Sequence, residues 1–171
     1  MIYKPREDTY LLKKAVEDRD LKGLKVLEIG TGSGLIAETA LENGADVTAT
    51  DINSEALKQL PEEVEGIESD LFENVDGRFD LILFNPPYLP GEESEASMKG
   101  SETWFGGESG VDVLEDFLSI CGSYLNNEGE AFLVMSSLSK FEEVVEKFGL
   151  EKISEKKLFF ERLYLMRYCV E

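Results

Sequence analysis

One stretch decides the fold, Lys25-Val26-Leu27-Glu28-Ile29-Gly30-Thr31-Gly32-Ser33-Gly34. Its first part is apolar and β-branched, which predicts a buried strand over residues 25–30. Three glycines at alternate positions follow, and then the apolar spacing of a helix over residues 33–43 that ends at Gly44. A strand that turns through glycines into a helix is typical of an open α/β sheet, in which ligands bind at such turns.

The alternation of strands and helices continues along the chain. Apolar runs predict further strands over residues 46–51, 66–70, 79–84, 130–135, 150–157 and 162–170. Helical spacing or capping signals predict helices over residues 54–60, 111–125 and 139–148. This order predicts an α/β fold with a mostly parallel sheet, helices on both faces and one antiparallel strand from a C-terminal hairpin. The length of 171 residues fits a single domain, residues 1–171.

The composition excludes several kinds of function. The chain has 36 acidic and 17 basic residues and a net charge of −19, which would repel nucleic acid. It has no histidine and two cysteines, so a Ser-His-Asp triad and a structural zinc site are excluded and no metal ligands are predicted. No apolar run is long enough to span a membrane, and the N-terminus is too polar for a signal peptide. We therefore expect no membrane association and a cytoplasmic location.

The glycine turn has carboxylates at the ends of three predicted strands. Its spacing is G-x-G-x-G and lacks the third glycine of the dinucleotide fingerprint G-x-G-x-x-G. Asp51 ends the second strand, where a carboxylate can accept both hydroxyl groups of a ribose. Asp70-Leu71 ends the third strand, and its acid suits the amino group of an adenine. Glu28 is costly in a buried strand unless it has a partner, for which a cationic or amine-bearing ligand is best suited. A purely structural turn beside a surface Asp51 is the alternative.

The corner Asn85-Pro86-Pro87-Tyr88 follows the predicted strand over residues 79–84. Proline at the second position pushes Asn85 into an extended conformation, and neither proline donates a backbone hydrogen bond. The Asn85 side-chain oxygen and the Pro86 carbonyl are then two fixed acceptors for the N–H groups of one amide or amine nitrogen. Positioning of this kind can supply about 7–11 kcal/mol of a barrier. Tyr88 offers a ring face to a planar amide or base. The corner thus indicates alkylation of a nitrogen; a plain proline turn is the alternative.

The two motifs together resemble class I S-adenosylmethionine-dependent methyltransferases. Asn85-Pro86-Pro87-Tyr88 matches their [DNS]-P-P-[FYW] signature and looks like the HemK/PrmC group of protein glutamine-N5 methyltransferases. These enzymes methylate the glutamine of the Gly-Gly-Gln motif in peptide-chain release factors. Two further segments are similar to segments of the short archaeal and eukaryotic branch: Tyr3-x-Pro5-x-Glu7-Asp8-Thr9-x-Leu11-Leu12 and Trp104-Phe105-Gly106-Gly107-x-x-Gly110-x-x-Val113.

The resemblance implies a Rossmann-like sheet of seven strands, with S-adenosyl-L-methionine as methyl donor and S-adenosyl-L-homocysteine as product. Residues 1–22 would form an N-terminal segment and helix that cap the cofactor pocket, and residues 89–110 a loop on the substrate side. The catalytic residues would be Asn85, Pro86 and Tyr88, and substrate would contact these three, Pro87 and Trp104. The cofactor would be held by Tyr3, Pro5, Thr9, Glu28, Gly30, Thr31, Gly32, Gly34, Asp51, Ile52, Asp70, Leu71 and Asn85.

The resemblance also implies partners. The residues themselves do not decide which chemical group accepts the methyl group. A peptide-chain release factor would be the substrate, and a small zinc-binding activator protein would cover apolar surface near the third strand. The alternatives are a protein lysine, or an exocyclic amine such as adenine N6 in DNA or RNA, which the acidic charge disfavours. A catalytically silent scaffold is disfavoured because both motifs are complete.

Overall fold

A sheet of seven strands forms the centre of the protein in the computed structural model, which describes residues 2–87 and 111–170. The strands lie in the order β3-β2-β1-β4-β5-β7-β6. Their bounds are β1 Lys25–Ile29, β2 Asp46–Asp51, β3 Glu65–Glu68, β4 Phe79–Phe84, β5 Leu125–Ser136, β6 Glu151–Lys157 and β7 Arg162–Cys169. The pairs of β1 with β2, β1 with β4, β2 with β3 and β4 with β5 are parallel, whereas β7 is antiparallel to β5 and β6. This confirms the predicted mixed sheet with its closing hairpin.

Helices cover both faces of the sheet. They are α1 Glu7–Lys13, α2 Leu35–Glu42, α3 Ser54–Leu57, α4 Asp112–Cys121 and α5 Glu142–Phe148, and a 3₁₀ turn, Gly122–Tyr124, follows α4. Because side chains alternate along a strand, neighbouring residues of β1 enter opposite cores. Val26 packs with α1 and α2, whereas Leu27 packs with α4 and α5. None of the described helices has the length and apolar character needed to cross a membrane.

The strand order creates a crevice beside β1. From β1 the chain runs outward to β2 and β3 on one side, and then returns to β4 on the other side. Ile29 is paired with Phe84, so the carboxyl ends of β1 and β4 lie at the same edge of the sheet. In open α/β sheets this switch of direction is where ligands bind. The fold therefore brings the glycine turn and the Asn85 corner to one place.

Strand β5 extends beyond the end of β4 at this edge. Phe84 is paired with Leu133, and β5 continues for three residues to Ser136, which is paired with Leu163 of β7. At about 3.3 Å per residue the extension is roughly 10 Å long. The strands β5, β7 and β6 thus form a wall on one side of the crevice.

Some boundaries differ from those that the sequence predicted. Helix α2 begins at Leu35 rather than at residue 33, because Gly34 has φ +80° and cannot lie within a right-handed helix. Strand β5 begins at Leu125, five residues before the predicted start. The sequence did not predict this first part of the strand because it contains the polar residues Asn126, Asn127 and Glu128.

Candidate active site

The glycine turn after β1 is held close to the N-terminal segment. Gly32 has φ +53°, and a Cβ atom there would lie 3.2 Å from the Cβ atom of Tyr3. The Thr31 N–H donates to the carbonyl oxygen of Thr50 in β2 (2.8 Å). Glycine is therefore required at position 32 both by the backbone conformation and by the segment packed on it.

Asp51 connects the end of β2 with the glycine turn. Its carboxylate accepts hydrogen bonds from the N–H of Gly32 (2.9 Å, Oδ2) and the N–H of Asn53 (2.9 Å, Oδ1). The side chain is 6% exposed and borders the cavity described below. A carboxylate oxygen has two lone pairs, so each oxygen can accept one more hydrogen bond. The chain itself thus fixes the orientation of this carboxylate towards the cavity.

Glu28 has protein partners, which its sequence position did not predict. Its Oε2 atom accepts from the Thr31 hydroxyl (2.8 Å) and from the Ala37 N–H (2.9 Å) at the start of α2. Burial raises the pKa of Glu28 to about 8; the two hydrogen bonds lower it, and the charge of Asp51 raises it further. The carboxyl group is therefore mostly protonated at neutral pH. The sequence suggested a ligand as the partner of Glu28. Protein groups already donate to its Oε2 atom, so only the Oε1 atom is left for a ligand.

The N-terminal segment closes one side of the site through a buried carboxylate. Asp8 accepts from the Tyr3 hydroxyl and from the Thr9 N–H (2.7 Å). The Thr9 hydroxyl in turn accepts from the Arg6 N–H (3.2 Å), which starts α1 in the manner of a capping box. Asp8 and Thr9 are both buried. These contacts fold the segment back over the glycine turn.

Asn85 stands at the carboxyl end of β4, opposite the glycine turn. Its side chain is half-buried, and its Oδ1 atom is buried and accepts no hydrogen bond within residues 2–87 and 111–170. The preceding residue, Phe84, packs on the ring of Phe117 at 4.6 Å between centroids, which fixes the end of the strand. A buried acceptor without a donor costs free energy, so this oxygen is suited to a donor from a bound molecule.

A cavity of about 330 Å³ lies between these elements. This volume is typical of a small-molecule site. Of the residues predicted from the sequence, the structure brings the following to its lining: Tyr3, Thr9, Glu28, Gly30, Thr31, Gly32, Asp51, Ile52, Asp70, Leu71, Asn85, Pro86 and Pro87. Pro5 and Gly34 lie outside the lining, and Tyr88 and Trp104 lie outside the described residues.

The cavity also has lining residues that were not predicted as site residues. They are Ile2, Arg6, Asp8, Ile29, Ser33, Ile36, Asn53, Ala56, Ser69, Phe84 and Val113. Arg6 and Asp8 lie inside the motif Tyr3-x-Pro5-x-Glu7-Asp8-Thr9, so the motif itself was a signal for them. Among residues 2–87 and 111–170, no group of three or more carboxylates and cysteines is placed to hold a metal ion.

The fold and the cavity together define a class I methyltransferase. The family comparison agrees: the Methyltransferase small domain family matches residues 7–101, and the chain belongs to this family. A Methanocaldococcus jannaschii chain named as a protein N5-glutamine methyltransferase is 38% identical over 179 residues, covering 96% of this chain and 90% of the relative.

Two solved structures show similar folds. The E. cuniculi Mtq2–Trm112 complex, which methylates the eRF1 translation termination factor, matches with a TM-score of 0.79 and 27% identity, covering 98% of this chain and 97% of that chain. The T. thermophilus 16S rRNA N2 G1207 methyltransferase RsmC, in complex with AdoMet and guanosine, has a TM-score of 0.67 and 22% identity, covering 96% of this chain and 43% of that chain. The second likeness concerns the fold alone.

Proposed function

We propose that this protein transfers a methyl group from S-adenosyl-L-methionine to the side-chain amide of the glutamine in the Gly-Gly-Gln motif of a peptide-chain release factor. The observation that carries the proposal is the buried Oδ1 atom of Asn85 at the edge of the cavity, which accepts no hydrogen bond from the described part of the chain. The similarity to the M. jannaschii and E. cuniculi proteins supports a glutamine acceptor.

The cavity residues fit the methyl donor. Asp51, held by two backbone N–H groups, has lone pairs left for the hydroxyl groups of a ribose. Ile52 and Leu71 present apolar surface for a flat base, and the carboxylate of Asp70 at the same rim suits its amino group. The glycine turn lines the cavity, and the absence of a Cβ atom at position 32 lets the N-terminal segment pack on the turn and close this side of the site. When bound, S-adenosyl-L-methionine supplies an electrophilic methyl group on a sulfonium centre.

The Asn85 corner would hold the acceptor nitrogen. A primary amide has two N–H groups, and the Asn85 Oδ1 atom and the Pro86 carbonyl oxygen are suited to accept one each. The end of β4 is rigid because Phe84 is buried and Pro86 has a fixed φ. Holding both N–H groups orients the nitrogen lone pair towards the methyl group and restricts its motion, which lowers the barrier. Tyr88 and Trp104 remain proposed substrate contacts on the strength of the sequence.

The proposal includes a partner and a location. Because the similar Mtq2 structure is a complex with Trm112, we propose that a small zinc-binding activator protein binds this chain as well. We also propose that the reaction takes place in the cytoplasm, on the release-factor substrate.

The test measures transfer of labelled methyl groups with and without a candidate activator. The acceptors are a release factor, the same factor with its Gly-Gly-Gln glutamine changed to alanine, a lysine-rich peptide, DNA and RNA. We expect label on the unchanged release factor alone. Label confined to nucleic acid or to lysine would overturn the assignment of the acceptor.

The role of Asn85 is tested by Asn85→Ala. We expect kcat to fall about 100-fold or more, as when other transition-state hydrogen-bond partners are removed, while the Kd of S-adenosyl-L-methionine changes little. Asn127→Ala, an exposed asparagine in β5, is the matched control and should leave both values unchanged. An Asn85→Ala enzyme with full activity would refute the proposed contact.

A further inference from the structure

The hairpin between β6 and β7 ends in two exposed phenylalanines. Phe159 and Phe160 are 91% and 85% exposed, and their rings contact each other edge to face at 4.5 Å between centroids. They occupy the centre of a four-residue turn that is closed by the Leu158 N–H donating to the Glu161 carbonyl oxygen (2.7 Å). Such turns favour glycine, asparagine, aspartate and proline, so neither the turn nor the core explains two aromatic rings here.

The turn of the hairpin lies at the same edge of the sheet as the cavity, the edge that is formed by the carboxyl ends of the parallel strands. Phe84 is paired with Leu133 of β5, and Leu133 is paired with Met166 of β7. Strand β7 begins four residues before Met166, at Arg162, and therefore rises about 13 Å beyond the end of β4. Two strand spacings of about 4.8 Å separate β4 from β7. The turn of the hairpin is thus roughly 15–20 Å from Asn85. It lies at the end of the strands β5, β7 and β6, which border the crevice.

An ion pair joins the hairpin to the rim of the cavity. Lys156 Nζ lies 3.2 Å from the Glu7 carboxylate at the start of α1. Asp8, the next residue, lines the cavity. Lys156 is three residues from Phe159, so the hairpin that carries the aromatic pair contacts the residue next to one that lines the cavity. We name Phe159 and Phe160 the hairpin-tip pair.

The surroundings of the hairpin-tip pair suit a protein. Charges of both signs flank it, with Arg162 paired to Glu155 and Lys156 paired to Glu7. An aromatic centre with a charged rim is the usual composition of a protein–protein contact. A net charge of −19 disfavours nucleic acid and anionic membranes as occupants. Two phenylalanines bury about 300–500 Å² at most, far less than the 1,200–2,000 Å² of a stable dimer.

We propose that the hairpin-tip pair is a docking contact for the protein substrate, which covers both rings with apolar side chains while its acceptor amide enters the cavity. This inference rests on the proposed function and adds the surface by which a protein acceptor is selected. The pair lies next to the β6 edge of the sheet, whereas β3 forms the opposite edge, where an activator is expected. The two contacts can therefore exist at the same time.

The test compares a whole release factor with a seven-residue peptide centred on its Gly-Gly-Gln glutamine. Each arm of that peptide spans about 10 Å and does not reach the tip. For Phe159→Ala/Phe160→Ala we expect the KM of the whole factor to rise about 30-fold, which corresponds to about 2 kcal/mol. We expect kcat, and kcat/KM for the peptide, to stay within twofold of the wild type.

The matched control is Ile120→Ala/Val170→Ala. These residues are 43% and 51% exposed and lie near the opposite, amino edge of β4 and β5. The control should leave both KM values unchanged. Both Phe side chains are exposed, so Tm should not change; if the double variant fails to fold, Phe159→Ala alone is measured in the same way.

Three results would overturn the inference in distinguishable ways. An unchanged KM for the whole factor, with normal transfer, would refute the docking contact and leave the proposed function standing. If the wild type transfers no methyl group to the release factor, both the proposed function and the binding of this substrate at the hairpin-tip pair are refuted. A wild-type dimer that becomes monomeric in the double variant would assign the pair to a second copy of the chain.

Discussion

The raised pKa of the Glu28 carboxyl group at the cavity can be tested without any ligand. The side chain is 4% exposed, and burial raises its pKa from 4.5 to about 8. Below pH 4.5 the carboxyl group is protonated in both the folded and the unfolded chain. Between pH 4.5 and 8 only the unfolded chain releases the proton, so the folded state loses stability as the pH rises. At about 1.36 kcal/mol per pH unit, the loss is on the order of 5 kcal/mol.

The variant Glu28→Gln removes this titration and keeps an oxygen that can accept from Thr31 and Ala37. We expect the variant and the wild type to be about equally stable at pH 4.5. At pH 8 and above, the variant should be more stable by on the order of 5 kcal/mol, or by roughly 10–20 °C in Tm for a chain of this size. The measurement is thermal and urea unfolding of both proteins, without cofactor, at intervals from pH 4.5 to 8.5.

The control is Glu38→Gln, which changes the same charge at an exposed position of α2. Its difference from the wild type should vary little across the same pH range. A Glu28→Gln difference that is constant from pH 4.5 to 8.5 would refute the raised pKa of the carboxyl group.

The other predictions concern the cofactor, the core and a backbone turn. Asp51→Asn should raise the Kd of S-adenosyl-L-methionine about tenfold or more in calorimetry, because the amide replaces one acceptor by a donor; an unchanged Kd would contradict the proposed ribose contact. Phe117→Ala should lower the free energy of unfolding by about 3–5 kcal/mol in urea, since the ring is fully buried against Phe84; a loss below 1 kcal/mol would contradict this packing. Gly34→Ala should destabilise by about 1–2 kcal/mol or more, because φ is +80° and a leucine methyl group is 3.2 Å from the added Cβ. Gly77→Ala is its control, because Gly77 has φ +91° but no atom within 4 Å of the added Cβ. This variant should lose only the part of the free energy of unfolding that the backbone conformation accounts for.

The central strands of the sheet were predictable from the sequence because they are buried on both faces. Strands such as β1 and β4 are nearly continuous apolar runs, and the switch to helical spacing after each run is easy to recognise. The first part of β5 was missed because Asn126 and Asn127 are polar and lie in an irregular stretch of the strand, between Leu125, which is paired with Phe79, and Glu130, which is paired with Leu81. Local composition does not contain that information.

The site was predictable where its chemistry resides in a motif, and less so where it depends on packing. The residues of the glycine turn, Asp51 and Asn85 come together at one cavity because parallel strands place their carboxyl ends at one edge. The partners of Glu28 are a hydroxyl three residues later and a helix N–H nine residues later. The burial of Asp8 likewise results from the folding back of Tyr3. Neither contact follows from spacing along the chain.

The place of β7 in the sheet has a consequence for synthesis of the protein. Of the seven strands of the sheet, β7 is made last, yet it lies inside the sheet, between β5 and β6. While the chain is still emerging from the ribosome, β6 has no strand to pair with, and one edge of β5 is open. The apolar residues of β5 that face both cores, among them Phe132 and Leu133, are then exposed on that side. Residues 162–169 must therefore be made before β6 can join the sheet and before this edge of β5 is covered.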